Sequence, residues 1–142
     1  MLSLTNFQTA EKRISPYVSK TPSTFDEKYS LHLKWESHQP THSFKVRGAF
    51  NKILAMESPA PLFVSGSAGN HGQAVALAAQ TAGVQAWVFV PENTPSIKVN
   101  RMLELGARVE LVPGLFGDAE AKAIRTRARW EFHLFLHIMT KR

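Results

Sequence analysis

The sequence predicts an α/β chain with a three-layer αβα arrangement, a parallel sheet covered by helices. Three observations carry this reading: short apolar runs bounded by Pro and Gly, amphipathic or alanine-rich stretches between them, and connections of only a few residues. Strands and helices that alternate in this way are joined by right-handed crossovers, which make the strands parallel.

The elements follow in chain order. Leu31-His32-Leu33-Lys34-Trp35-Glu36 alternates with period two, which puts Leu31, Leu33 and Trp35 on one face of a strand. Turn-forming Gln39-Pro40-Thr41 comes next, and Thr41 or Ser43 can cap a helix carrying Phe44, Ala49, Phe50, Ile53 and Leu54, which ends before Ser58-Pro59-Ala60-Pro61. Leu62-Phe63-Val64-Ser65 is short and apolar, as a buried strand is. Gly66 to Gly72 is a glycine-rich turn, and Gln73 to Gln80 is rich in alanine, the best helix former, and stops at Gly83. Ala86-Trp87-Val88-Phe89-Val90-Pro91 repeats the strand signature. Pro95 suits a first helical turn, and Ile97, Met102, Leu103 and Leu105 make a stripe before Gly106. Val109-Glu110-Leu111-Val112 is a further strand, and Gly117 to Arg129 a last helix.

With 142 residues, 44% of them hydrophobic and 20% charged, the chain is large enough to bury a core and is neither disordered nor collagen-like. It has no cysteine, which excludes disulfides, thiolate metal sites and cysteine nucleophiles. The net charge of +6 invites a nucleic-acid reading, but Lys122, Arg125, Arg127, Arg129, Lys141 and Arg142 concentrate it at the end, so no nucleic-acid partner is expected. No apolar stretch approaches a membrane span, and polar Thr5, Asn6 and Gln8 occupy the place of a secretory signal's apolar stretch. A cytoplasmic chain with no membrane partner is the expectation.

Ligands of open parallel sheets bind at the carboxyl ends of strands, and the loop from Ser65 to Gly72 lies at such an end. Gly66, Gly69 and Gly72 lack the spacing of the dinucleotide fingerprint. Their turn suits a phosphate or carboxylate beside a helix N-terminus, or serves only as a structural turn. Lys45 stands near a helix start, where the local field and desolvation lower a lysine's pKa and free its amine to attack carbonyl compounds; from position alone, though, a solvated surface charge is much the commoner case. His38 and His42 are four apart, but Pro40 lies between them and no third ligand is evident, so no metal site is expected.

Taken together, Glu36-Ser37-His38-Gln39-Pro40-Thr41-His42-Ser43-Phe44-Lys45-Val46-Arg47-Gly48-Ala49 and Ser67-Ala68-Gly69-Asn70-His71-Gly72-Gln73 resemble the signature pair of the serine/threonine dehydratases (threonine ammonia-lyases). These are pyridoxal-phosphate enzymes of the tryptophan-synthase-β-like fold. The likeness continues through Val90 to Val99 and Gly106 to Leu111, and covers about residues 11 to 131. The resemblance implies that Lys45 is the Schiff-base lysine and proton shuttle, that Phe44 packs near the ring of pyridoxal 5'-phosphate, and that Asn70 hydrogen-bonds the pyridine hydroxyl. It implies that Ser67, Ala68, Gly69, Asn70 and His71 grip the carboxylate of a small amino-acid substrate. The activity implied is conversion of L-threonine or L-serine to a 2-oxo acid and ammonia; serine racemase of the same family, or a non-catalytic remnant, are the alternatives. A homo-oligomer is compatible with this reading. His42 occupies a place where relatives often carry glycine.

The implied division is 1–60 as N-terminal elements of a larger domain with the lysine helix, 61–131 as a small α/β domain, and 132–142 as a tail unlike the family. The resembling enzymes are much longer and supply their glycine-rich phosphate cup after the segment matching Arg129, so weak or absent turnover is expected of this chain alone. Read one base out of frame, the codons of Phe135 to Lys141 permit the family's Ser-Pro-Tyr-Asn-Asp-Glu, with Met139-Thr140 forcing the Asp. A frameshift near Trp130 to Leu134 is therefore expected, and the nucleotide sequence of codons 136–141 tests it.

Overall fold

The computed structural model describes residues 3–57 and 60–139, with side chains as far as 130. It begins with α1 (Leu4–Ile14), opened by Ser3, whose side chain accepts from the Asn6 amide while the Asn6 side chain accepts from the Ser3 amide. Ile14 is buried, and Tyr17 beyond it stacks on Phe50 with ring centroids 5.1 Å apart.

The strand expected at 31–36 is present as β2 (Leu31–Lys34), but it stands outside the parallel sheet. It pairs antiparallel with β1 (Ser23–Asp26) in a ribbon of its own, with Leu31 and Leu33 exposed. The physical reason is proximity: a short turn brings β1 back beside β2, whereas parallel pairing needs a long crossover. A 3-10 turn (Glu36–His38) and a loop then lead to α2 (Lys45–Leu54). Val46, Ala49, Phe50 and Ile53 recur at helical spacing along α2 and are all buried.

The parallel sheet consists of β3 (Leu62–Gly66), β4 (Gln85–Pro91) and β5 (Arg108–Val112), in the order β3-β4-β5. Its crossovers are α3 (Asn70–Thr81) and α4 (Ser96–Glu104), and α5 (Phe116–Met139) follows. Successive β4 side chains face opposite ways and so build two cores. Ala86, Val88 and Val90 pack with α2, with Ala74 and Ala78 of α3 and with Met102 of α4; Phe89 packs with Val112 and with Ala119 and Ala123 of α5. This is the expected three-layer αβα sandwich. The alanines of α3 let α2 and the sheet approach closely.

Two boundaries differ from the sequence reading. The α3 helix starts at Asn70, so Asn70, His71 and Gly72 form its first turn instead of a glycine-rich loop, because Gly69 takes the extended N-cap conformation. The last helix continues past Arg129 to Met139. The region 132–142 has no described side chains, and 140–142 lie outside the described residues altogether.

Candidate active site

Lys45 is the first residue of α2, so its side chain leaves the helix where the unpaired amide groups create a positive field. No side chain caps this end in the usual way; the Lys45 amide instead donates to Ser43 Oγ at 3.2 Å. The Lys45 ammonium lies 4.8 Å from the centroid of the Phe44 ring, and no carboxylate pairs with it among the described residues. Both side chains are exposed, so the amine is accessible.

The two separate sequence motifs meet at one cavity. Lys45 and Phe44 wall a space of about 400 Å³ together with Ser65 at the end of β3 and His71 in the first turn of α3. Ala49, Ile53, Phe63 and Val75 supply its apolar sides. That volume lies within the range of about 300–1,000 Å³ usual for small-molecule sites. Partial loss of water, and secondarily the charge of Lys45, push the His71 imidazole below its ordinary range. Both effects favour the uncharged imidazole.

The remaining expected residues stand apart from the cavity wall. Asn70 is exposed at the first position of α3. Ser67 is buried, its amide donates to the Phe89 carbonyl at 3.0 Å, and its Oγ accepts from the Gly69 amide at 3.4 Å. Ala68 and Gly69 are half-buried. The loop is held close to α3 because Gly72 has no side chain: a Cβ there would run into the Ser67 carbonyl oxygen. Among the described residues no group of three or more metal-ligating side chains is gathered, and no helix is long and apolar enough to cross a membrane.

Sequence reasoning missed a polar node behind Lys45. Arg47 Nε donates to Glu36 Oε2 at 2.7 Å and its NH2 group to Oε1 at 2.8 Å, a two-pronged pair. Thr21 Oγ1 also donates to Glu36, at 2.6 Å. The Arg47 hydrogen bond is the main reason the Glu36 carboxyl is lowered to about 2; burial opposes it, and Thr21, the Arg47 charge and Gln39 reinforce it. A carboxyl depressed in the folded state stabilises the fold above its unfolded value and loses that contribution as the pH falls through its folded value. The stabilisation lost here, between about pH 4.5 and pH 2, is on the order of 2 kcal/mol. Melting curves of wild type and Glu36→Gln are expected to differ most near pH 6 and to converge toward pH 2.5; a gap that stays constant with pH would show that ionisation of Glu36 is not what matters.

A family model described as pyridoxal-phosphate dependent enzyme matches residues 14–137. The chain is 36% identical over 137 residues to the L-threonine ammonia-lyase of Thermotoga maritima, an alignment covering 91% of the chain and 34% of that protein. It is 47% identical over 94 residues to the biosynthetic L-threonine dehydratase of Pasteurella multocida, covering 65% of the chain and 18% of the relative. Among solved structures, a T.th. threonine deaminase superposes with a TM-score of 0.79 at 37% identity, over 90% of the chain and 42% of its counterpart. Maize serine racemase gives a TM-score of 0.78 at 32% identity, over 86% and 40%. The chain spans about a fifth to about a third of the length of the curated relatives it matches.

Proposed function

The chain belongs to the pyridoxal-phosphate dependent enzymes, and from that premise we propose that it is the lysine-bearing part of a serine/threonine ammonia-lyase, in which Lys45 holds the cofactor. The observation that supports this reading is the meeting of Lys45 with His71 and Ser65 at one cavity between α2 and the edge strand β3. The residues fit such a group: an accessible primary amine without a carboxylate partner stands at the rim of an apolar-walled space that can take a flat ring.

When bound, pyridoxal phosphate supplies an electron sink for charge developing at the substrate Cα. The chain's own residues do the rest. Lys45 would hold the cofactor through Nζ, and its amine, when free, would be the group that takes up a proton at the site. Phe44, on the cavity wall, would lie near the ring, and Asn70, exposed at the first position of α3, would offer its amide to the pyridine hydroxyl. The unpaired amide groups at the start of α3, with Ser67 to His71, orient the substrate carboxylate. A neutral His71 accepts or donates a hydrogen bond there without adding a second positive charge beside Lys45.

Serine racemase is the second reading, favoured by the superposition on the maize enzyme. Incubation with pyridoxal phosphate and either L-threonine or L-serine distinguishes the two. Release of 2-oxobutanoate or pyruvate is expected. D-serine as the sole product assigns racemisation instead, and no product together with no change in the cofactor's absorption overturns both.

A further inference from the structure

We propose that Glu36 is a positioning residue for Lys45, holding the lysine's amine at the cavity through Arg47 and Gln39. This inference rests on the assignment of Lys45 above. The segment between Glu36 and Lys45 is irregular, with local bonds from the His42 amide to the Gln39 carbonyl at 2.8 Å and from the Lys45 amide to Ser43 Oγ at 3.2 Å. Its 3-10 turn is brief, His42 adopts a left-handed φ of 53° that L-residues disfavour, and Lys45 opens its helix without a side-chain cap. These local bonds do not join the segment to the helix that carries Lys45 beyond its first residue; the side chains of Glu36 and Arg47 do.

The structure ties both ends of it to one carboxylate. On the helix side, Arg47 stands two residues after Lys45 in the same first turn, and its two-pronged grip on Glu36 fixes the rotation and axial position of that turn. On the loop side, the Gln39 side chain, 1% exposed, donates to Glu36 Oε2 at 3.3 Å. Gln39 also exchanges two hydrogen bonds with the Ser19 backbone, at 3.0 and 2.8 Å, and Arg47 donates to the same Ser19 carbonyl at 3.1 Å. Thr21 completes the acceptor shell of the carboxylate. By contrast, the Arg101–Glu104 pair is a single contact within one exposed helix face. Glu36 stays ionised throughout the working pH range, so the node does not loosen with ordinary changes of pH.

The test uses Glu36→Gln, Arg47→Lys and, as a control, Glu104→Gln. Each full chain is treated with pyridoxal phosphate, reduced with borohydride, and its lysines are mapped by mass spectrometry; circular dichroism verifies folding. In wild type and Glu104→Gln the label is expected to favour Lys45 over exposed lysines such as Lys98. In Glu36→Gln and Arg47→Lys the Lys45 share is expected to fall about 10-fold while the fold persists, because a misplacement of about 1 Å is enough to cost that much. Should Glu36→Gln fail to fold, Arg47→Lys, which keeps the charge and loses only the fork, decides. An unchanged Lys45 share in the folded variants, or a fall matched by equal loss of folded protein, overturns the inference. Absence of any preference for Lys45 in wild type instead overturns the functional reading. Hydrogen exchange over residues 36–47 then decides the positioning role, which fails if exchange there is the same in every variant.

Discussion

Gly72→Ala is expected to lower the melting temperature by roughly 10 °C or more, corresponding to about 3 kcal/mol. A Cβ at this position would collide with the Ser67 carbonyl oxygen and come within 2.9 Å of Met102 Sδ and 3.2 Å of Val88 Cγ1. None of these neighbours yields easily. Met102 and Val88 are fully buried, and Ser67 is fastened to β4 through its amide. Relief therefore requires moving the loop that carries Ser67, Ala68 and Gly69, so the proposed carboxylate grip is expected to weaken along with stability. Alanine is a better helix former than glycine by about 1 kcal/mol, which offsets only part of the cost. Gly69→Ala provides the contrast: nothing lies within 4 Å of its Cβ position, and its effect is expected to stay within about 1 kcal/mol. Equal shifts in thermal melts of the two variants would mean that the clash does not control the loop.

The contrast between these glycines also shows where sequence patterns stop. The run from Gly66 to Gly72 is legible as a break between strand and helix, and Ala86 to Pro91 reads directly as a buried strand because both its faces are covered; Leu62 to Ser65 reads the same way but is half-buried, because β3 is an edge strand that lines the cavity. Which glycine does what depends on tertiary approach: a Cβ on Gly66 would lie 2.7 Å from the Glu120 backbone of α5, Gly72 faces Ser67, and Gly69 only opens the helix. The β1–β2 ribbon is half legible, since Leu31 to Trp35 alternates but Ser23 to Asp26 carries no apolar rhythm. That alternation implies a covered face, which the ribbon lacks. The capping pair Ser3 and Asn6 is a local signal for α1 that the apolar periodicity does not supply. At the site, Lys45 and His71 are linked in the sequence by family motifs and not by spacing. The node around Glu36 joins Ser19, Thr21, Gln39 and Arg47 across a turn, a ribbon and a helix, and no short-range pattern announces such an arrangement.

Lys45→Ala is expected to abolish borohydride-trapped label at that position and to reduce any cofactor-dependent turnover to background: Lys52 also lines the cavity, but it is Lys45 whose ammonium stands over the Phe44 ring, 4.8 Å from its centroid. Lys45→Arg is expected to be equally inactive: a guanidinium keeps the charge but is not a nucleophile at neutral pH. The pair separates chemistry from electrostatics through His71. The Lys45 charge is one of the two causes that lower the His71 pKa, the other being loss of water. Removing a like charge favours protonation, so in Lys45→Ala the imidazole is expected to titrate at higher pH than in wild type, while in Lys45→Arg it stays low. Nuclear magnetic resonance titration of the His71 ring measures this without cofactor or substrate. Identical His71 curves in wild type and Lys45→Ala would mean that the two side chains do not share the cavity, and the proposed active site would lose its basis whatever the activity assays report.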